Sequence, residues 1–156
     1  MTSINGEFAQ KQAEAARIQQ ARLEQAQAFE SRKAAGYLGS FVAEAAAKGL
    51  EPETLVVTGY GGKGSAKSNL RGWYLKADRT LGVDTNGNYY ILITDLPPFA
   101  RFRTVSIDPS PPPLILSKGG RDGESMDLTA KLDELLPTWR EAGRGPLTDT
   151  NNGVGR

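Results

Sequence analysis

The chain contains no cysteine and no histidine. The first absence excludes disulfides and thiolate metal sites. The second removes the commonest general base and the commonest imidazole ligand, which weighs against nucleophilic, hydrolytic and zinc chemistry. Long apolar runs are missing too, for nothing approaches the roughly 20 residues of a membrane-spanning helix. Charge of one sign is not in excess: 19 Lys and Arg stand against 18 Asp and Glu, a formal net charge of +1. No global field therefore draws the protein to DNA or to an acidic membrane. Apolar residues make up 38% of the chain, below the ordinary globular share. The opening MTSINGEFAQ lacks the charged-then-apolar order of a signal peptide. These absences lead to the expectation of a soluble cytoplasmic protein that is not an enzyme and has no cofactor, metal or catalytic residue.

What is present begins with a hairpin. Asn86-Gly87 lies between two runs with strong strand preference, Thr80–Thr85 and Asn88–Thr94. A two-residue Asn-Gly loop suits a type I′ turn, whose central residues both need positive φ. That turn fixes a register in which Asp84 pairs with Tyr89, Val83 with Tyr90 and Leu81 with Leu92. Side chains alternate along strands, so Leu81, Val83, Tyr90 and Leu92 share a core face. Tyr89, Ile91 and Ile93 then form a second apolar face on the same strand. The run Leu70–Lys76, with Trp73 and Leu75 on one side, reads as a further strand.

Residues 7 to 48 read as helix almost throughout. Ala, Gln, Glu, Arg and Lys dominate up to Ala35, all good helix formers, and Asn5 is a candidate cap. Phe8, Ile18, Leu23 and Phe29 are the large apolar residues of residues 7 to 35, too few and too scattered for a core. Gly36 and Gly39 mark a weakening or a kink. Beyond them Tyr37, Leu38, Phe41, Val42, Ala45 and Ala46 make a buried stripe. Gly49 supplies a left-handed cap, Leu50 its contact and Pro52 the stop.

Two segments invite chemistry. Leu55–Thr58 leads into GYGGKGSAKS, where Gly59 and Gly64 have Walker spacing. Ser65-Ala66 follow in place of Lys-Ser/Thr, and a strand follows in place of a helix, so the phosphate-loop reading fails. A flexible basic loop is expected, with Lys63, Lys67, Arg71, Lys76 and Arg79 facing only Asp78. The second segment, GGRDGES, gathers Asp122 and Glu124 near Asp127. It lacks the calcium-loop spacing, and a turn with Ser125 as N-cap accounts for it. A helix from Met126 to Leu136 follows, and Trp139 is expected to fold back onto the core. DPSPPP (108–113) reads as a rigid crossover of polyproline character, and Leu114-Ile115-Leu116 as a short edge strand.

The fold class is α+β, with a long N-terminal helical arm, a mainly antiparallel sheet of about four to five strands and one C-terminal helix. Residues 1–35 form the arm, 36–141 the globular domain and 142–156 a disordered tail. The expected function is a protein–protein interaction or assembly module, docking to itself as a homo-oligomer or to another protein. Phe8, Ile18, Leu23 and Phe29 of the arm and Tyr89, Ile91 and Ile93 of the sheet would make the contact. The alternative is single-stranded nucleic-acid binding, with cations and aromatic platforms supplied by Lys63, Lys67, Arg71, Trp73 and Tyr74.

Overall fold

Forty-seven consecutive residues, Thr2–Lys48, form one helix, α1, about 70 Å long at 1.5 Å per residue. The structure, a computed structural model, describes residues 2–116 and 125–143. Most of the expected tail (144–156) and most of the GGRDGES segment lie outside those residues, while Ala142 and Gly143 close a short helical turn from Trp139. Asn5 lies inside α1 instead of capping it, and the helix runs unbroken through Gly36 and Gly39. Its end follows the expected pattern. Gly49 has φ +73, the Leu50 N–H donates to the Ala45 carbonyl at 2.9 Å, and the Gly49 N–H reaches Ala46 at 3.4 Å. This six-to-one and five-to-two pairing is a Schellman cap. Ala34, Leu38, Phe41 and Ala45 are fully buried, so the buried stripe begins a turn before Tyr37. Ala46 is exposed, about 110° round the helix from the centre of the stripe.

The strands are β1 (Glu53–Gly59), β2 (Ser65–Tyr74), β3 (Leu81–Asp84), β4 (Tyr89–Ile91), β5 (Ile93–Thr94) and β6 (Thr104–Val105). They form a mostly antiparallel mixed sheet in the order β4-β3-β2-β1-β5, with β6 alongside β2. The two ends of that order are one stretch of chain, residues 89–94. The Leu92 N–H donates to the Thr80 carbonyl on the β3 side, and the Leu92 carbonyl accepts from the Thr58 N–H on the β1 side. The sheet therefore curls round on itself. Two features of β2 allow the curl. Ser68, Asn69 and Leu70 together face the single residue Leu55, a bulge between the Thr54–Arg71 and Val56–Lys67 pairs that bends the strand. The Ser68 hydroxyl donates to the Leu55 carbonyl at 2.6 Å and accepts from the Leu70 N–H, so the groups displaced by the bulge stay paired. At Gly72 a Cβ would run into the Val83 carbonyl, so only glycine lets β3 come this close.

Two cores result. Leu55, Tyr90 and Leu92 are buried inside the curl, with Leu70, Tyr74 and Ile107 against them. Outside it, Trp73, Leu75, Leu81, Val83 and Tyr89 pack against Ala34, Leu38, Phe41 and Ala45 of α1. Phe41 meets Trp73 edge to face at 5.4 Å. A two-stranded ribbon, β7 (Ile115–Leu116) with β8 (Met126–Asp127), leads into α2 (Leu128–Leu135). Ser125 is therefore not the helix N-cap, because the pairing of Met126 and Asp127 holds the next two residues extended. Trp139 folds back as expected; it is buried, lies edge-on to Tyr37 at 5.7 Å, and its indole N–H donates to Asp133 at 2.7 Å.

The hairpin register differs from the expected one by a residue. Val83 pairs with Tyr89, Gly82 with Tyr90 and Leu81 with Ile91. The expected grouping of Leu81 and Val83 with Tyr90 and Leu92 is thus split between the two cores. The cause is Asp84, which is buried. Its carboxylate accepts from the Asn86 and Asn88 backbone N–H groups at 2.9 Å each, from the Asn88 side chain at 3.3 Å and from the Tyr90 hydroxyl at 2.8 Å. Satisfying a buried carboxylate this fully outweighs the Asn-Gly preference for a two-residue loop. The loop becomes Thr85-Asn86-Gly87, closed by the Gly87 N–H to the Asp84 carbonyl and the Asp84 N–H to the Asn88 carbonyl. Gly87 alone in this loop has positive φ, +87.

These contacts have measurable consequences for stability. Gly87→Val should cost more than about 1 kcal/mol, because a β-branched residue tolerates positive φ badly; Asn86→Ala should cost little, whereas a type I′ turn would make both sensitive. Urea midpoints at unchanged slope decide it. Phe41→Ala should lose about 3 to 5 kcal/mol. Glu44, beside it, is buried with one carboxylate oxygen unpartnered, so Glu44→Gln should leave stability unchanged or raise it; a loss like that of Phe41→Ala would show the carboxylate to be a structural partner.

A further consequence concerns alkaline pH. Burial pushes the Tyr89 hydroxyl up to about 12. Burial, then the bond to Asp84, does the same for Tyr90. Unfolded tyrosine ionises near about 10, so between these values the unfolded chain loses protons that the folded chain keeps. The tyrosine contribution is intact below about pH 10 and falls as pH rises toward 12. The urea midpoint should drop across that window, and less steeply in Tyr89→Phe; equal slopes would refute the assignment.

Candidate interaction surfaces

Two surfaces stand out, and the fold positions both. The first is the outer part of α1. Ile4, Phe8, Ile18, Leu23 and Phe29 are all exposed, by 48 to 67%. At 100° per residue, Ile4, Phe8, Ile18 and Phe29 lie within roughly 80° of one another on the helix. Positions 4, 8, 11, 15, 18, 22, 25 and 29 alternate by four and three, the rhythm of a coiled-coil seam. Ile, Phe, Lys, Ala, Ile, Arg, Gln and Phe occupy them. Leu23 points elsewhere, in line with the buried Phe41. The helix first touches the rest of the protein near Glu30, whose carboxylate accepts from the Leu114 N–H at 3.0 Å. There Gln27, Ala28, Ser31 and Arg32 face Pro111–Pro113 across a shallow groove.

The second surface comes from the parallel pairing of β1 with β5, Thr58 against Ile93 and Gly59 against Thr94. Two parallel strands that end side by side send their loops out side by side. The loop 60–64 and the segment 95–103 therefore emerge together and enclose an open cleft of about 500 Å³, lined by Lys63, Gly64, Ser65, Leu96, Pro97, Phe99, Ala100 and Arg101. Three large rings on these two segments have little cover: Phe99, which lines the cleft, is 74% exposed, Phe102 72% and Tyr60 59%. Phe99 has φ +63, a conformation that costs a bulky residue of the order of 1 kcal/mol or more. The turn behind it is held by Phe102 N–H to the Phe99 carbonyl and Arg103 N–H to the Ala100 carbonyl, with Ala100 buried as its foot. The Arg101 guanidinium lies 4.7 Å over the Phe102 ring.

The structure sorts the expected site residues. Lys63 lines the cleft, and Lys67 stands beside it on β2, exposed and paired with Thr104 of β6. Arg71 is spent on the Pro52 carbonyl at 2.7 Å, Lys76 on Asp78 at 2.9 Å, and Arg79 lies over the Tyr74 ring at 5.3 Å. Trp73 is buried under α1 and cannot act as a platform. Tyr74 is half-buried, its hydroxyl accepting from the Val56 N–H at 2.9 Å. Tyr89 is buried in the outer core, so the sheet face expected of Tyr89, Ile91 and Ile93 is reduced to exposed Ile91 and half-buried Ile93.

The sequence assigns Tyr60, Phe99, Arg101, Phe102 and Arg103 no site role, because RFRTVSI (101–107) alternates in the manner of a strand. Only Thr104–Val105 of that run is a strand; Ala100–Phe102 is a short helical turn, so in PPFARFR two rings and two cations follow a pair of prolines without a strand face. The GYGGKGSAKS loop is also shorter than it reads, since Ser65–Ser68 already belong to β2. Among the described residues no three acidic side chains come together as metal ligands. Asp127 sits at the start of α2 without a capping bond from its side chain, while Asp122 and Glu124 lie outside those residues. No described helix is long and apolar enough to cross a membrane. Set against known proteins, the chain matches no family model, no curated protein and no solved structure.

Proposed function

We propose that the protein is a non-enzymatic assembly module of the cytoplasm, in which the folded domain presents a helical arm that docks against a second helix. The partner tested first is the arm of another copy. One observation carries the reading: residues 4–29 are exposed along their whole length while carrying Ile4, Phe8, Ile18 and Phe29 on one side. An isolated helix of this composition is marginal in water, but its nucleation cost falls on the anchored segment beyond Ala34, so extension adds turns cheaply. Ala15 in the seam and Ala26 at its edge permit close helix approach there, and Lys11 and Arg22 within the seam favour a specific, reversible pairing over a tight one.

Sedimentation of the full chain should give a mass that rises with concentration. The double change Ile18→Asp, Phe29→Asp places charge where apolar contact is required. It should hold the protein monomeric at all concentrations, with an unchanged thermal transition for the domain. A wild-type chain that stays monomeric up to roughly 100 μM, a low effective affinity of about 5 kcal/mol, would sink the self-docking reading.

A further inference from the structure

We propose that the cleft between the loop 60–64 and the segment 95–103 binds single-stranded nucleic acid, with bases stacked on Tyr60, Phe99 and Phe102 and phosphates on Lys63, Lys67, Arg101 and Arg103. The charge is local. Residues 60–68 and 95–103 hold these four cations against the single carboxylate Asp95, in a chain whose net charge is +1. None of the four is ion-paired among the described residues, where the salt bridges join Lys76–Asp78, Lys131–Glu134 and Arg140–Asp133. The rings are the second, independent observation. Phe99 lines the cleft, Phe102 lies against its wall residue Arg101 and Tyr60 sits on the neighbouring loop, and three rings more than half exposed on two adjoining segments are uncommon in a small domain. Single strands use such rings because every base has a stackable face. Arg101 over Phe102 makes one composite platform that offers a base a ring and a phosphate a cation at once.

Other polyanions fit less well. An acidic peptide would engage the cations and leave three rings unused. A bilayer takes up rings on a protruding tip, whereas Phe99 helps wall a concave cleft with Lys63 and Arg101. A duplex hides its base faces and is read by a helix or ribbon in a groove, and neither element projects here. The proposal is independent of the arm, so its failure and that of the assembly reading are separable.

The test uses the full chain and fluorescence anisotropy with labelled twelve-nucleotide oligo-dT and oligo-U. Four phosphate contacts on a single strand give a salt slope near −2.8, so binding should weaken about 50-fold between 50 and 200 mM salt. Phe99→Gly relieves the backbone at positive φ and removes the ring. It should keep or raise the melting temperature while weakening binding about tenfold or more. Lys63→Gln with Arg101→Gln should halve the slope. Ile18→Asp, Phe29→Asp should leave the affinity per chain unchanged. Preference for oligo-U assigns the site to RNA and preference for oligo-dT to DNA, and both support the proposal. It is overturned by no binding to either strand, by equal binding of a duplex of the same length, by binding that Phe99→Gly leaves intact, or by capture on phosphatidylserine vesicles without oligonucleotide binding.

Discussion

The hydrogen bonds of Leu92 are the constraint on which the rest depends. One residue donates to Thr80 and accepts from Thr58, so the stretch 89–94 serves two neighbours that lie at opposite ends of the sheet order. A sheet closed this way leaves fewer bare edges and acquires an inside. Tyr90 and Leu92 go in with Leu55, while Tyr89 faces out to meet α1. The same closure aligns the ends of β1 and β5, and thereby builds a two-loop surface from segments some forty residues apart.

Much of this was legible where local chemistry and tertiary demand agree. The Gly49 cap, the stripe through Leu38, Phe41 and Ala45, the burial of Trp73 and Leu75 and the return of Trp139 all follow from spacing and residue type. The register at Asp84 was not legible, because a buried carboxylate with four donors is a three-dimensional fact that a dipeptide turn rule does not contain. One residue of slip exchanges the faces of a whole strand, which is why Tyr89 moved from the surface into the core. The bulge at Ser68–Leu70 was hidden for a related reason: Ser68 reads as the end of a loop and Leu70 as the start of a strand until β1 is beside them.

The candidate surfaces divide along the same line. The arm could be seen because exposure along a helix is a matter of pattern, and Ile18 and Phe29 have no companions in sequence to make a core. The cleft could not, since neither GYGGK nor PPFARFR is distinctive alone. Their adjacency comes from a parallel pair of only two residues a side, too short to signal itself. Trp73 and Tyr74 attracted the aromatic role in sequence because they lie near the lysines along the chain; the rings that share the lysines' surface come from another segment.

Because α1 is a single unbroken helix, the arm and the domain share one rotational phase. Each residue between Phe29 and Ala34 sets the seam's azimuth relative to the domain by 100°. The five-residue step from Phe29 to Ala34 thus acts as a fixed gear, turning the exposed stripe about 140° from the buried one. Whatever lies along the stripe is held pointing away from α2 and the sheet, at a distance set by the helix's rise. Loop linkers fix neither angle nor distance. A continuous helix fixes both, so this short chain carries the geometry of a ruler and a compass bearing at once.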